Sequence, residues 1–376
     1  GNAMTAPFLP FTRPSIDDDT IADVVAVLKG GWITSGPRVA SFEQALSAYL
    51  GGRMVRSMTS ATGGMEMALK VLGVGPGDEV IVPAMTFAAS ANVVERLGAR
   101  AVFVDVELRS RNVTAAAMEA AITTRTKVLM PVHFSGLAVE MDEVLDLAAR
   151  RGLRVMEDAA HAIGTRYKGR LIGSFGDVAS FSFHANKNMT TVEGGALAYA
   201  DPALTVPLER ERFHGIAKDA AGNVDIETAG GKYNLTDVAA AVGLGQLRSL
   251  EAFNRRRSEL AARYEQRLAP HVDTDRLPLA GEGHSWHMYP LLLPLKELGM
   301  SRDAFVAAMR ERSIGLGIHY PCVPGMTYYR NLGWNPSAFP VAERIGAETV
   351  TLPLFPAMAD ADVDRVCDAL LDLLPR

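Results

Sequence analysis

The chain has 376 residues, 48% of them hydrophobic and 22% charged, which is typical of a globular enzyme and excludes disordered and collagen-like proteins. Because 38 lysines and arginines stand against 43 acidic residues, the net charge of -5 excludes a general electrostatic attraction to nucleic acid or anionic lipid. Two cysteines, Cys322 and Cys367, cannot build a disulfide framework, and no apolar run reaches the roughly 18 residues of a membrane span, so we expect a cytoplasmic protein without nucleic-acid or membrane partners.

Short β-rich runs alternate with helix-period segments between residues 60 and 200. The predicted strands are 79–83, 101–106, 127–132, 153–157, 178–183 and 196–200. Because parallel strands need long and usually helical connections, the alternation predicts an α/β fold with a mostly parallel sheet covered on both faces.

A helical pattern is predicted to begin near Leu235, where Thr236 and Asp237 form a natural N-cap pair, and a long basic helix is expected to follow it through residues 255–267. Further along the chain, 286–295 and 314–320 have the pattern of strands. We expect these two strands to belong to a smaller second domain.

The length of the chain favours one large domain followed by a smaller one. We predict a large domain over residues 1–250 and a C-terminal domain over residues 251–376. Residues 1–3, which precede Met4, are expected to be the remnant of a removed tag and carry no weight for the fold.

Lys187, one of eight lysines, lies in a polar stretch between two predicted strands. The common alternative for such a residue is a solvated loop lysine. Its polar neighbours are Ser182, His184, Asn186, Asn188, Thr190 and Thr191. Polar loops at strand ends are where α/β enzymes bind ligands, so we predict a functional role for Lys187.

Asp158 follows the apolar run 153–157, and His161 lies three residues later. Asp158 alone could be a helix N-cap, and the two together could be a metal pair, although no third ligand is evident. A carboxylate at a strand end and a lysine on a later loop instead suit pyridoxal 5'-phosphate (PLP). Its aldehyde condenses with a lysine amine, and its ring nitrogen needs an acid partner. We therefore predict a PLP site and no metal.

Two further features fit a planar phosphate ester. Ser60 and Thr62 stand at the start of a predicted helix, whose N-H groups attract a dianion, although simple N-capping is the favoured explanation when this segment is taken alone. Phe87 follows the run 79–83 and is predicted either to stack on a flat ring or to belong to the core.

Two other groups of residues carry little functional weight. The basic run 255–257 is typical of a solvated helix face, and the tryptophans form no stripe for stacking bases, which disfavours nucleic-acid binding. His284 and His287 have the spacing of metal ligands on a helix turn. The run that follows them predicts a strand, on which they would point to opposite faces.

Several blocks stand out when taken in chain order: SATGGMEMAL, GPGDEVIVPAMTFAASAN, FVDV, the long block EDAAHAIG to GGALAYA, and GGKYNLTDVAAAVGLGQL. Together they resemble the signature series of the DegT/DnrJ/StrS family of PLP-dependent nucleotide-sugar aminotransferases, over about Gly30 to Ala357. The resemblance implies the aspartate aminotransferase-like fold. That fold has a large α/β domain with a mainly parallel seven-stranded sheet and a smaller C-terminal α+β domain.

The resemblance also implies a role for each matching residue. Lys187 would be the Schiff-base lysine, and Asp158 would pair with the ring nitrogen of PLP. The other matches would bind the cofactor: His161 near the ring hydroxyl, Thr62, Gly63 and Ser182 at the phosphate, Phe87 on the ring face, and Asn234 at the phosphate of the neighbouring subunit's cofactor. A homodimer with shared active sites follows.

By the same resemblance, the reaction moves an amino group from an amino acid, expected to be L-glutamate, to a keto sugar nucleotide through pyridoxamine phosphate. The KYNLTD block and the segment 31–37 resemble enzymes that aminate C4 of the sugar more than those that aminate C3, in amino sugar biosynthesis such as that for cell-surface polysaccharide. Leu137, Cys322 and Pro324 depart from the family pattern near the acceptor, so its identity stays open.

Two alternatives remain open. A pyridoxamine-dependent sugar dehydratase of this family would carry histidine in place of Lys187, which argues against that reaction. A catalytically silent PLP-binding regulatory protein is the other alternative, and every expected chemical position is filled here.

Overall fold

The computed structural model describes residues 6–375, so residues 1–3, predicted to be a tag remnant, lie outside the described part of the chain. The strands are β1 (Met54–Met58), β2 (Glu79–Pro83), β3 (Arg100–Val104), β4 (Thr126–Leu129), β5 (Arg154–Asp158), β6 (Arg166–Tyr167), β7 (Arg170–Leu171), β8 (Val178–Ser182), β9 (Gly195–Tyr199), β10 (Ile216–Lys218), β11 (Val224–Ile226), β12 (Tyr289–Leu292) and β13 (Thr349–Leu352).

The helices cover the sheet and build the C-terminal part of the molecule. They are α1 (Asp18–Gly30), α2 (Pro37–Tyr49), α3 (Ala61–Val71), α4 (Ala89–Arg96), α5 (Ala115–Ala120), α6 (Met141–Arg151), α7 (Thr205–Arg212), α8 (Asp237–Leu268), α9 (Leu295–Leu298), α10 (Arg302–Glu311), α11 (Thr327–Asn331), α12 (Pro340–Glu348) and α13 (Asp360–Leu373). None of the helices within residues 6–375 is both long and apolar enough to cross a membrane.

The central sheet has seven strands in the order β1-β9-β8-β5-β4-β2-β3. Strand β9 runs antiparallel to both of its neighbours, and the other pairs are parallel. All five residues of β8 and of β9 are buried, because helices cover both faces of the sheet. The α/β fold with a mainly parallel seven-stranded sheet is therefore confirmed.

Each of the six runs predicted as sheet strands overlaps a strand, with ends that differ by at most three residues, and 79–83 matches β2 at both ends. Strand β1 was not predicted. The run 286–295 forms a strand only over Tyr289–Leu292. The prediction for 314–320 is wrong, since Ile314 and Gly317 make only isolated bridges, to Leu9 and Thr351. Its two glycines weaken a strand, because they lack side chains to pack.

Helix α8 connects two hydrophobic cores. Its N-cap is Thr236, as predicted, and the hydroxyl of Thr236 accepts a hydrogen bond from the Ala239 N-H. Leu250 of α8 packs into the core around the central sheet. Leu260 and Leu268 pack into a second core with β12, β13, α10 and α13. The domain boundary predicted after residue 250 falls inside this helix.

The parallel strands bring their carboxyl ends to one edge of the sheet. Asp158 is the last residue of β5, and Ser182 is the last residue of the adjacent β8. Helix α3 begins just after β1, and β9 starts at Gly195 against the first residues of that helix. Ligands of open α/β sheets bind at this edge, so the fold places the predicted site residues there.

Candidate active site

A cavity of about 390 Å³ opens at the carboxyl edge of the sheet. It brings together six of the eight predicted site residues: Thr62, Phe87, Asp158, His161, Ser182 and Lys187. Its other lining residues include Ser60, Thr86, His184, Glu193, His319 and Tyr320. Gly63 and Asn234 do not line it.

Lys187 lies on the loop between β8 and β9 and is half-buried. Burial lowers the pKa of its amine from 10.5 to about 8, although the Asp158 carboxylate acts in the opposite direction. A desolvated amine disfavours its charged form. About a tenth of Lys187 is therefore an uncharged nucleophile at pH 7, and about half of it at pH 8.

Asp158 is almost fully buried, and neighbours hold both of its carboxylate oxygens. The Ser90 hydroxyl donates to Oδ2 at 2.6 Å, and the Ala160 N-H donates to Oδ1 at 3.1 Å. The Thr86 hydroxyl lies 3.0 Å from that of Ser90. Charge-assisted hydrogen bonds of this kind fix the direction of a carboxylate.

His161 is held in one tautomer. The Ser135 N-H donates to its Nδ1 at 3.1 Å, so the neutral ring carries its proton on Nε2. Nε2 lies 3.0 Å from the Tyr320 hydroxyl oxygen. Burial, with smaller contributions from Lys187 and His319, lowers the pKa of His161 well below its usual value. The imidazole is therefore neutral at physiological pH.

Beside these residues, the first turn of α3 (residues 60–63) packs against Gly195 of β9, and we call this turn the phosphate cradle. Ser60 is the N-cap, and its hydroxyl accepts from the Gly63 N-H at 2.9 Å. A Cβ at Gly195 would lie 2.6 Å from the Ala61 nitrogen, so only glycine lets β9 approach this closely. The first N-H groups of a helix lack intrahelical partners and attract anions. Thr62 and Ser182 add hydroxyls to the same cavity.

The Phe87 ring is 59% exposed and lines the cavity. Its centroid lies 5.8 Å from that of Tyr320. The exposure rules out a core role for this side chain, which was one of the two predicted alternatives.

Asn234 lies outside the cavity of its own chain. Its amide nitrogen donates to the Ser35 hydroxyl at 2.9 Å, and its amide oxygen accepts from Lys232. The resemblance assigns Asn234 to the neighbouring subunit's site, so this location agrees with that expectation without testing it.

Sequence reasoning missed several residues of the site. Ser90 follows Thr86 by four residues, and this helical spacing was the available signal. Tyr320 carried no local signal, since 159 residues separate it from His161. His287, expected on a strand, lies in the loop before β12, and its ring centroid is 4.6 Å from that of His161.

Comparison with known proteins decides the family. The model of the DegT/DnrJ/EryC1/StrS aminotransferase family matches residues 14–371. The chain belongs to this family. Its members include PLP-dependent sugar aminotransferases, and this chain is one of these enzymes, with PLP as its cofactor.

Solved structures of this family share the fold over nearly the whole chain. Spr1654 from Streptococcus pneumoniae, solved in apo, PLP and PMP forms, is 34% identical in its PMP form, with a TM-score of 0.90 over 97% of this chain and 98% of that one. DesV from S. venezuelae, in complex with a ketimine intermediate, is 33% identical, with a TM-score of 0.90 over 99% and 100%.

A third family member is more distant in sequence. PseC from Helicobacter pylori, an aminotransferase involved in the biosynthesis of pseudoaminic acid, is 26% identical to this chain. It has a TM-score of 0.92 over 98% of this chain and 99% of that one.

The residues of the cavity fit PLP. A desolvated amine faces the cavity beside a carboxylate held by two hydrogen bonds. The glycine-lined start of α3 offers N-H groups to a phosphate, and an exposed aromatic ring offers a flat face. No group of three or more His, Cys, Asp or Glu side chains in the described part of the chain is arranged to hold a metal ion.

Proposed function

We propose that this sugar aminotransferase takes its amino group from L-glutamate and delivers it to a 4-keto sugar nucleotide, in preference to a 3-keto one. One observation carries the aminotransferase chemistry: the Lys187 amine, on the loop after β8, and the Asp158 carboxylate, at the end of the neighbouring β5, reach the same cavity. The KYNLTD block supports C4 amination.

We assign the chemistry to two residues. When bound, PLP supplies an aldehyde that condenses with amines and a ring that accepts the electron pair released at an amino acid's α-carbon. Lys187 would bind the cofactor covalently and then move a proton from the α-carbon of the donor. Asp158 would keep a proton on the ring nitrogen. A positioned proton carrier contributes roughly a hundred- to ten-thousand-fold in rate.

The remaining residues would orient the cofactor. Thr62, Gly63 and Ser182 would bind the phosphate, and Phe87 would cover one face of the ring. His161, neutral and fixed in one tautomer, would approach the ring hydroxyl.

We further propose a homodimer in which Asn234 completes the neighbouring subunit's site. Two observations support it. Asn234 does not line its own chain's cavity, and Trp32 and Ile33, near Ser35 to which it donates, are 61% and 49% exposed. Exposed apolar patches of this kind mark interaction surfaces.

We propose amino sugar biosynthesis in the cytoplasm as the setting, with cell-surface polysaccharide as the destination of the product. The two cysteines are free and buried, as suits a reducing compartment.

The decisive experiment combines chemical mapping with substitution. Borohydride reduction of the holoenzyme followed by peptide mass spectrometry should place the cofactor on Lys187. Lys187→Ala should lack both the absorbance of the covalent linkage and turnover, whereas Lys296→Ala, which changes an exposed lysine on α9, should retain both. A cofactor fixed to another residue, or full activity of Lys187→Ala, would refute the assignment.

A second assay tests the substrates. Purified enzyme with glutamate should convert 4-keto sugar nucleotides faster than 3-keto ones, measured by the release of 2-oxoglutarate. The reverse preference would overturn the C4 assignment, and turnover with another donor only would overturn glutamate.

A further inference from the structure

Asn188, the residue after Lys187, has an almost fully buried side chain that reaches three distant parts of the chain. Its amide nitrogen donates to Oδ1 of Asn254 on α8 at 2.7 Å and to the Ser285 carbonyl oxygen at 2.9 Å. Its amide oxygen lies 3.2 Å from Nδ1 of His287. Each polar position of this side chain therefore has a partner.

The orientation of the Asn188 amide follows from the chemistry of these partners. A backbone carbonyl only accepts hydrogen bonds, so the Asn188 nitrogen must face Ser285. The Asn188 oxygen then faces His287, whose Nδ1 must donate and must carry the proton of the neutral ring. One asparagine thus fixes a histidine tautomer as well as the loop.

The partners of Asn188 are themselves tied to the other side of the cavity. The backbone N-H of His287 donates to the Ser135 carbonyl oxygen at 2.9 Å. The backbone N-H of Ser135 in turn donates to Nδ1 of the His161 ring at 3.1 Å. Asn254 donates to the Ile163 carbonyl oxygen at 3.2 Å. A short chain of hydrogen bonds therefore connects the neighbour of Lys187 to His161.

Other contacts also hold the Lys187 loop, among them the Thr190 N-H, which donates to Oε1 of Gln246 on α8 at 3.2 Å. The Lys187 N-H donates to the His184 carbonyl oxygen at 2.9 Å within a short turn, and no regular helix or strand includes Lys187. Asn188 supplies long-range contacts one residue away. A displacement of about 1 Å of a reacting group can cost roughly a hundred-fold in rate, so a residue that fixes this loop has a large effect on turnover.

We propose that Asn188 is a positioning residue for Lys187, which clamps the lysine loop to α8 and to the segment 284–287 and so sets the distance between the lysine amine and His161. The inference rests on the proposed role of Lys187. Asn188 does not itself touch the cavity, and it acts through its neighbour.

The test uses holoenzymes of Asn188→Ala and Asn188→Asp, the second of which keeps an acceptor for His287 but loses both N-H donors. We expect kcat to fall by about ten- to a hundred-fold with little change in KM for the sugar nucleotide. We also expect the midpoint of the pH titration of the cofactor's absorbance to shift, because a loosened loop exposes Lys187 to water. Asn254→Ala should give the same signature, and the double variant should be no worse than the more impaired single one.

Tyr264→Phe is the matched control. It removes a buried hydrogen bond to the Pro353 carbonyl oxygen in the second core, so it lowers stability without touching the lysine loop. Its titration midpoint and kcat should match those of the unmodified enzyme.

The possible outcomes separate cleanly. A shifted midpoint in the Asn188 and Asn254 variants, with none in Tyr264→Phe, supports the clamp. An unchanged midpoint, or one that moves equally in Tyr264→Phe, overturns it. If Asn188→Ala does not fold, Asn254→Ala and Asn188→Asp test the clamp in its place. Borohydride mapping of the unmodified enzyme is read first, and a cofactor found away from Lys187 would overturn the proposed function itself.

Discussion

The hydroxyl oxygen of Tyr320 lies 3.0 Å from Nε2 of His161. This contact shows which group donates, and so where the proton of the imidazole and the proton of the hydroxyl each point. Since Nδ1 of His161 accepts from the Ser135 N-H, the imidazole donates its only proton to Tyr320. The Tyr320 hydroxyl must accept there, which leaves its own proton free to donate to a ligand. Because Tyr320 lines the cavity, the fold supplies an oriented O-H donor to the site. No sequence motif near Tyr320 predicts this donor.

Tyr320→Phe keeps the ring that packs beside Phe87 and removes only this hydroxyl. The His161 N-H would then lose its partner in a buried site, which costs about 1–3 kcal/mol. We expect kcat/KM to fall roughly ten-fold, equivalent to about 1.4 kcal/mol, as measured by steady-state kinetics.

Tyr328→Phe serves as the control, because Tyr328 is 55% exposed, lies outside the cavity lining and donates its hydroxyl to Glu95. It should behave like the unmodified enzyme. Equal kinetics for Tyr320→Phe and Tyr328→Phe would remove Tyr320 from the site.

Asp158→Asn should bind PLP yet lose at least a hundred-fold in kcat. The asparagine oxygen can still accept from Ala160, and its nitrogen can donate to the Ser90 hydroxyl, so the fold is kept. A neutral amide cannot hold the positive charge of a protonated ring nitrogen. Cofactor absorbance and single-turnover rates with glutamate separate binding from chemistry.

Ser90→Ala should give a smaller loss than Asp158→Asn, because it removes one charge-assisted hydrogen bond and keeps the charge. A rate for Asp158→Asn equal to that of the unmodified enzyme would show that Asp158 does not contact the ring nitrogen.

The rate of PLP incorporation into apo-protein should depend on pH through Lys187. Below its pKa of about 8 the amine is protonated and cannot attack an aldehyde, and above that value it is free. We therefore expect incorporation, followed by absorbance, to rise with pH around a midpoint near 8. The reaction of PLP with N-acetyl-lysine, run in parallel, gives the contribution of the cofactor's own ionisation. A midpoint near 10.5 would mean that Lys187 is not desolvated.

Much of the sheet could be predicted because its interior strands are short, apolar and bounded by helices. Strand β1 escaped prediction, since Arg56 and Ser57 interrupt its apolar pattern and it pairs only with β9 at the sheet edge. The run 314–320 has strand-like residues, but Gly315 and Gly317 leave it with isolated bridges. Local pattern fixes a strand only where its neighbours also bury it.

The site could be predicted to the extent that its residues lie on contiguous motifs. Asp158 ends β5, and His161 and Lys187 lie on the loops that follow β5 and the adjacent β8, so sheet topology brings the three together. Tyr320 and His287 come from the second half of the chain, beyond α8. Only the packing of the C-terminal part against the sheet brings them to His161, and no short-range spacing encodes that contact.

Gly195→Ala should disturb the phosphate cradle without removing any functional group. The new Cβ would lie 2.6 Å from the Ala61 nitrogen and 2.7 Å from the Phe181 carbonyl oxygen, and backbone atoms cannot rotate away as a flexible side chain can. We expect overpacking to lower the free energy of unfolding by about 1–3 kcal/mol. The start of α3 would be displaced, so PLP affinity should also fall, measured by equilibrium titration of apo-protein.

Gly75→Ala is the matched control for Gly195→Ala, since no atom of residues 6–375 lies within 4 Å of its added Cβ. It should leave thermal unfolding and PLP affinity nearly unchanged. The two effects of Gly195→Ala can be separated, because a variant that unfolds earlier but binds PLP normally would show that the first turn of α3 does not hold the phosphate. Weaker binding, measured well below the unfolding transition, follows only if β9 sets the position of those N-H groups.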